Sequence, residues 1–206
     1  MDAQRLAELL SPFVPAPLSA RQTEQLLAYL ALLMKWNAKI NLTAVRDAEQ
    51  VVTRHFGESL FAAAQLVCEP FISAADVGSG AGFPGVPLAI YIPASKVTLI
   101  ESQNKKATFL REVARVLELK NVVVANARAE SIELRSGLVT MRAVEKFAES
   151  APAAELLVEC GGRLAMLIGS SQVESAKTIL PHLEFAEPVP IPQSTGRILL
   201  VGRKAA

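Results

Sequence analysis

The chain has 206 residues, 51% of them hydrophobic and 20% charged, which is enough apolar material for a sizeable core and excludes a disordered chain. Lys and Arg number 21 against 20 Asp and Glu, so a wholly basic, histone-like grip on nucleic acid is excluded and any such contact must come from a local patch. Aromatic residues, at 5%, are too few for a protein that mainly stacks single-stranded bases. Residues 1–70 read as an N-terminal helical segment packed on the rest. Leu6, Leu9, Leu10 and Phe13 form a short apolar face that stops in the stretch from Pro12 to Pro17. Ser19 with Gln22 predicts a capping box, opening a helix whose stripe is Leu26, Leu30, Leu33 and Met34. Asp47 with Gln50 predicts another, ahead of Val52, Phe56, Leu60 and Ala63.

From residue 71 short apolar runs alternate with helical patterns. Runs 71–77, 97–100, 122–125, 138–141 and 164–168 read as strands; 88–90, 109–117 and 147–158 read as helical. Such alternation predicts a parallel sheet covered on both faces. Runs 183–189 and 197–202, joined through prolines without a helix, predict a C-terminal antiparallel hairpin with a wide loop. Cys68 and Cys160 are far apart and in no CxxC pair, so two reduced, partly buried thiols are expected and no metal site. Neither a signal peptide nor a membrane span is expected, which makes a cytoplasmic protein the expectation.

The strongest signal is Asp76-Val77-Gly78-Ser79-Gly80-Ala81-Gly82-Phe83-Pro84-Gly85, after a strand and before a helix. Glycines there allow a tight turn and close approach of backbone to a ligand, and the helix start offers free N–H groups. A dinucleotide loop needs its third glycine at position 83, which is Phe83. A G-x-G-x-G loop instead suits S-adenosylmethionine (SAM), with Asp76 near enough to meet the methionine ammonium. Glu101, ending the second strand, is placed to accept both ribose hydroxyls. Arg128-Ala129-Glu130, just past the third strand, is placed to face the adenine. Residues 71–206 are thus read as a Rossmann-like SAM-dependent methyltransferase domain of about seven strands.

Missing motifs narrow the chemistry. There is no Asn/Asp-Pro-Pro-Tyr/Phe run after the fourth strand to grip an exocyclic amine, and no Pro-Cys or Thr-Cys to serve as a covalent nucleophile. Acceptors that are already nucleophilic remain, such as guanine N7, whose lone pair needs no general base. Alignment plus help for a cationic product would suffice.

Met34-Lys35-Trp36-Asn37, Asn41-Leu42-Thr43, Arg54-His55, the loop 76–85, Glu101-Ser102 with Lys105-Lys106 and Phe109-Leu110, Arg128-Ala129-Glu130 and Arg142-Ala143 occur in this order. In them the chain resembles the ribosomal RNA small-subunit methyltransferase G family, also called glucose-inhibited division protein B, over about residues 25 to 203. The resemblance implies SAM-dependent N7 methylation of one guanine in 16S ribosomal RNA, free or in the 30S subunit. It also implies a seven-stranded fold behind an N-terminal helical segment. Carried over by position, Gly78, Phe83, Ala129, Glu130 and Arg142 line the SAM site, joined by Gly80, Gly82 and Glu101 from the loop reading. Arg54 and His55 match a pair near the cleft with a role in placing RNA or cofactor; Arg142 and His55 are the candidate catalytic residues. The chain departs from the family at Gly137 (usually Asp), Ile168 (usually Lys before Gly) and Glu58 (usually Asp before Ser).

Lys105, Lys106, Arg111, Arg115 and Lys120 cluster on the predicted helix after Glu101 and are the candidate RNA face, with Arg197, Arg203 and Lys204 of the hairpin extending it. A monomer is expected. Two alternatives stay open at this point. One is a non-catalytic RNA-binding relative that binds SAM, motivated by Gly137 and Ile168. The other, weaker because of Phe83, is an NAD-dependent oxidoreductase.

Overall fold

The computed structural model describes residues 1–142 and 147–206. Helix α1 (Ala3–Leu10) starts on Asp2, whose carboxylate accepts the Arg5 amide at 2.8 Å. Helix α2 (Ala20–Ile40) starts on the expected reciprocal box between Ser19 and Gln22. It ends at Asn41, which takes the left-handed conformation (φ 48°) that Asn tolerates. Asp47 caps α3 (Ala48–Val51), which runs through one wide π-type turn, Val52–Gly57, into α4 (Glu58–Leu66). The sequence pattern predicts one regular helix here and does not show the wide turn, because one extra residue in a turn hardly disturbs a short apolar stripe.

The second part is built on β1 (Ser73–Val77), β2 (Lys96–Ile100), β3 (Val122–Ala125), β4 (Ser136–Arg142), β5 (Val158–Gly169), β6 (Leu183–Phe185), β7 (Val189–Pro190) and β8 (Arg197–Lys204). Helices α5 (Gly85–Tyr91), α6 (Asn104–Val116) and α7 (Phe147–Leu156) connect the first five strands, and α8 (Val173–Ile179) follows β5. Helix α8 is an addition to the elements expected from the sequence. The order across the sheet is β3-β2-β1-β4-β5-β8-β6, seven strands on one path, with β7 pairing beside β8. The first five strands run parallel and β8 lies antiparallel to β5, β6 and β7. The α/β architecture and the C-terminal antiparallel pairing are therefore as read from the sequence.

Both faces of the central strands are dry, which is why these strands read as continuous apolar runs. Ala74, Leu99, Leu138, Ala165 and Leu199 face one core together with α5, α6 and the N-terminal helices. Their neighbours Ala75, Ile100, Val139, Leu164 and Leu200 face a second core under α7 and α8. Leu6, Leu26, Leu33, Phe56 and Leu60 of the N-terminal helices share the first core with Val86, Phe109 and Leu110.

Cys68 and Cys160 are exposed rather than partly buried. Cys68 lies just past the end of α4. Cys160 lies where the β4–β5 register shifts and Gly161 takes φ 74°, so the strand leaves its cover there. Among the described residues no helix is long and apolar enough to cross a membrane.

The wide turn presses Gly57 onto Phe13, just past the end of α1: a Cβ at Gly57 would lie 2.6 to 2.9 Å from three atoms of the Phe13 ring. Gly57→Ala is expected to cost about 1–3 kcal/mol in urea unfolding through overpacking, and Phe13→Leu in the same chain to recover part of it.

Candidate active site

The glycine loop crosses the carboxyl end of β1, the central strand on which the sheet's order reverses. Gly78, Gly80 and Gly82 have φ of 66°, 56° and 95°, conformations that side chains resist. The three glycines serve different ends. A Cβ on Gly80 would meet only the Gly78 carbonyl, at 3.7 Å, so the space above it opens into the cleft. A Cβ on Gly82 would meet the Tyr29 hydroxyl at 2.5 Å, so Gly82 is there to let α2 approach. Of the expected cofactor residues, Gly78, Gly80, Phe83, Glu101, Ala129, Glu130 and Arg142 line one cleft of about 620 Å³; Gly82 is buried beneath it.

Asp76 does not face that cleft, which corrects its expected role as partner of an ammonium group. It is fully buried (0% exposed) one residue before the end of β1. Its Oδ1 accepts the Thr140 hydroxyl at 2.8 Å from its register partner on β4, while Oδ2 accepts the Ser79 hydroxyl at 2.7 Å and the Gly85 amide at 3.1 Å. Burial lifts its pKa to about 6 against these hydrogen bonds. Asp76 thus ties both ends of the loop to the sheet. A polar pair inside two otherwise apolar strands was the sequence signal for this role.

Glu101 sits at the rim at the end of β2. Its Oε2 accepts the Gly80 amide at 2.9 Å and its Oε1 the Gln103 amide at 2.7 Å. Each carboxylate oxygen retains a second lone pair, so the group is pre-aimed yet still able to accept hydroxyls. Asn126 joins the ends of β2 and β3 by donating to the Glu101 and Ser102 carbonyls at 2.9 and 3.2 Å.

The opposite half of the cleft belongs to the N-terminal helices and β4. His55, in the wide turn, stacks on Phe83 with centroids 4.9 Å apart. Its Nε2 is 2.7 Å from the Thr43 hydroxyl, which also accepts the Val45 amide at 3.2 Å. Burial first, then the cations of Arg142, Arg54 and Arg197, press the His55 pKa down to about 3, so the ring is neutral. The Arg142 guanidinium is 5.9 Å from the Phe83 centroid. Its Nη2 donates to the Arg54 carbonyl at 2.7 Å and to Glu58 Oε2 at 2.9 Å. Ala143, which follows Arg142 in the motif, lies outside the described residues.

Tyr29 is the residue that sequence reasoning missed. Its hydroxyl donates to the Ala81 carbonyl, and its ring stacks with Phe56 at 5.0 Å and tilts against Phe83 at 5.5 Å. A hydroxyl-bearing aromatic inside a leucine stripe was the available sign, since buried Tyr hydroxyls need partners.

The candidate RNA residues separate. Lys106 lines the cleft, and Lys105, Arg111, Arg115 and Lys120 are exposed along and just beyond α6. Arg54 is exposed beside His55. Arg197 pairs in register with Gly169 at the cleft end of β5. Arg203 pairs with Arg163 at the other end, where it holds Glu69 and the Gly161 carbonyl. The antiparallel register thus sends the hairpin's two arginines to opposite ends of the sheet, and Arg203 does not extend a face at the cleft. Gly137 also lies at that far end, and Ile168 is buried in the second core. Among the described residues no group of three or more His, Cys, Asp or Glu is placed to hold a metal ion.

The profile of the family described as rRNA small subunit methyltransferase G matches residues 22–188. Ribosomal RNA small subunit methyltransferase G of Xylella fastidiosa is 41% identical over 187 residues, covering 87% of this chain and 85% of that protein. The protein of that name from Roseiflexus sp. is 41% identical over 202 residues, covering 92% and 86%. Among solved structures, magnesium protoporphyrin IX methyltransferase from Synechocystis, with bound SAM, superposes with TM-score 0.66 at 14% identity, covering 86% of this chain and 97% of that one. Ribosomal protein L11 methylase from Lactobacillus delbrueckii gives 0.61 at 12% identity, covering 75% and 80%. At these identities the structural likeness speaks to the fold.

Three outcomes are expected. His55 should show no imidazole titration by NMR between about pH 5 and 8. The unfolded chain binds a proton at His55 below pH 6.5 whereas the fold resists it down to about 3, so this residue's contribution to stability is full above 6.5 and is lost as pH falls. The stability difference between wild type and His55→Gln should therefore shrink on acidification from pH 7 to 5. Tyr29→Phe, which strands the buried Ala81 carbonyl, should cost about 1–3 kcal/mol in unfolding and weaken ligand binding at the loop.

Proposed function

The chain belongs to the rRNA small subunit methyltransferase G family, and on that premise we propose that it transfers the methyl group of SAM to N7 of one guanine in 16S ribosomal RNA. The observation that carries this reading is the pair of unlike half-sites flanking the glycine loop. On the β2–β3 side stand Glu101, Ala129 and Glu130; on the β4 side stand His55, Phe83 and Arg142.

The first half fits SAM. The cleft volume of about 620 Å³ is within the range of small-molecule sites. The backbone above Gly80 is open, and a carboxylate with spare lone pairs stands where a ribose edge would lie. Gly78, Gly80 and Glu101 would hold the nucleoside's polar edge, with Ala129 and Glu130 beside its base. When bound there, SAM supplies an electrophilic methyl group on a sulfonium.

The second half suits an acceptor that needs no deprotonation. Guanine N7 presents its lone pair in the ring plane, so the chain has only to align it and to tolerate the cation that forms. A His55 held neutral adds no positive charge beside that product. The Arg142 charge is answered by Glu58. Phe83, buried at the junction of the halves, supports the His55 ring. The exposed cations of α6 supply the salt-sensitive attraction to the RNA strand. A dinucleotide-type oxidoreductase gains no support, since Phe83 fills the place of its third glycine and packs under His55.

Incubation with SAM should place 7-methylguanosine at one position of 16S RNA, read as a single strand break after reduction and aniline cleavage. Naked 16S RNA and 30S particles tested side by side identify the form that is used. Glu101→Ala should leave the fold intact and weaken SAM binding in calorimetry by about 10–100-fold, the value of lost charge-assisted hydrogen bonds. Unchanged binding would refute the assignment of Glu101.

A further inference from the structure

Glu58 opens α4 with its carboxylate 2% exposed and split between two cations. Oε2 accepts a hydrogen bond from Arg142 Nη2 at 2.9 Å, and Oε1 forms an ion pair with Arg197 Nη2 at 2.5 Å. Arg142 ends β4 and Arg197 begins β8, with β5 between them. One buried carboxylate thus ties the carboxyl end of β4 and the amino end of the antiparallel β8 to α4, across the end of β5. The same Arg142 nitrogen donates to the Arg54 carbonyl in the wide turn.

Such an arrangement is a poor way to stabilise a fold. Desolvating the charges costs as much as their attraction returns, and apolar residues of the same volume would often serve as well or better. What a divided carboxylate does achieve is orientation. A guanidinium is planar with its donors in a fixed fork, so anchoring one nitrogen sets the direction of the others. Arg142 is 10% exposed and lines the cleft; Arg197, 31% exposed, stands further out at the cleft end of the sheet beside Gly169. Arg54 is exposed on the turn that Arg142 grips. Among the described residues that charge this cluster, three arginines surround one carboxylate, which leaves it positive toward an approaching strand.

We propose that Glu58 is a positioning residue for the acceptor: with Arg142 anchoring one of its oxygens, it aims Arg197 at a phosphodiester oxygen next to the target nucleotide. This rests on the rRNA reading above and extends it to the residue that orders the acceptor half. Fork-shaped guanidinium donors match phosphate oxygens, and Arg197 is the partly exposed member of the pair. Glu58 itself touches neither substrate.

The test compares wild type, Glu58→Gln, Glu58→Asp, Arg197→Ala and the double variant Glu58→Gln/Arg197→Ala. Thermal midpoints, SAM binding by calorimetry, 16S RNA binding on filters across a salt series, and KM and kcat for RNA are measured for each. Glu58→Gln is expected to keep SAM affinity within about threefold while raising the RNA KM about tenfold, as for a misdirected charge-assisted contact. Glu58→Asp should recover part of that loss, because the negative charge remains. Arg197→Ala should lower the salt slope of RNA binding by about 0.7–0.9, one phosphate contact. The double variant should bind RNA no more weakly than Arg197→Ala, because Glu58 acts through Arg197. An unchanged RNA KM in folded Glu58→Gln, an unchanged salt slope in Arg197→Ala, or additive losses in the double variant would overturn the proposal. Should Glu58→Gln fail to fold, Arg197→Ala alone decides through its salt slope. The filter assay reads Glu58 whether or not methyl transfer occurs, so absence of 7-methylguanosine with wild type would count against the function and not against this role.

Discussion

A buried carboxylate in the central strand holds the site together. Asp76 reaches across to Thr140 on β4 and up to Ser79 and the Gly85 amide, so the two ends of the glycine loop and two strands meet on one residue. Glycines alone permit the loop's conformation without enforcing it, since the freedom that allows φ of 56° or 95° equally allows other values. The Asp76 hydrogen bonds supply the enforcement, in a place without water to compete. Burial opposes its ionisation, and the three donors offset that opposition.

The N-terminal helices finish what Asp76 begins. Tyr29 of α2 presses on Gly82 and binds the Ala81 carbonyl, which fixes the outer part of the loop. The wide turn between α3 and α4 brings His55 over Phe83 and turns the Arg54 carbonyl toward Arg142. Leu42, Thr43 and His55 bring residues before 71 into the cleft wall, and the glycine loop shares one packed core with the N-terminal helices. Disturbing that core is expected to reach both halves, because interiors at crystal-like density transmit displacement.

Charge is divided across the cleft in a way that matches its chemistry. The β2–β3 side carries the Glu101 and Glu130 carboxylates, and the β4–β8 side carries Arg142 and Arg197; on the proposed reading the first faces a nucleoside and the second an anionic strand. Between them the imidazole is held neutral by burial and by neighbouring arginines. On the proposed reading, an acceptor that becomes cationic on methylation would meet an uncharged imidazole there rather than another free cation.

The amino-acid sequence by itself determined the layer architecture, because strands buried on both faces must be apolar throughout and their alternation with helices forces parallel crossovers. It also made the glycine loop legible, together with Glu101 and the stretch from Arg128 to Glu130, since each sits next to a strand end where chain order alone implies proximity. The wide turn, helix α8 and the part played by Tyr29 were not legible, as none of them alters an apolar period. Tertiary structure alone decided which polar groups face the ligand and which hold the scaffold. Asp76 turned inward, Gly82 made room for Tyr29, and the β5–β8 register sent Arg197 to the cleft and Arg203 to the opposite end. Those outcomes depend on pairings between residues up to 64 positions apart. The direction a side chain takes is set by what packs against it, and no local spacing in the chain carries that information.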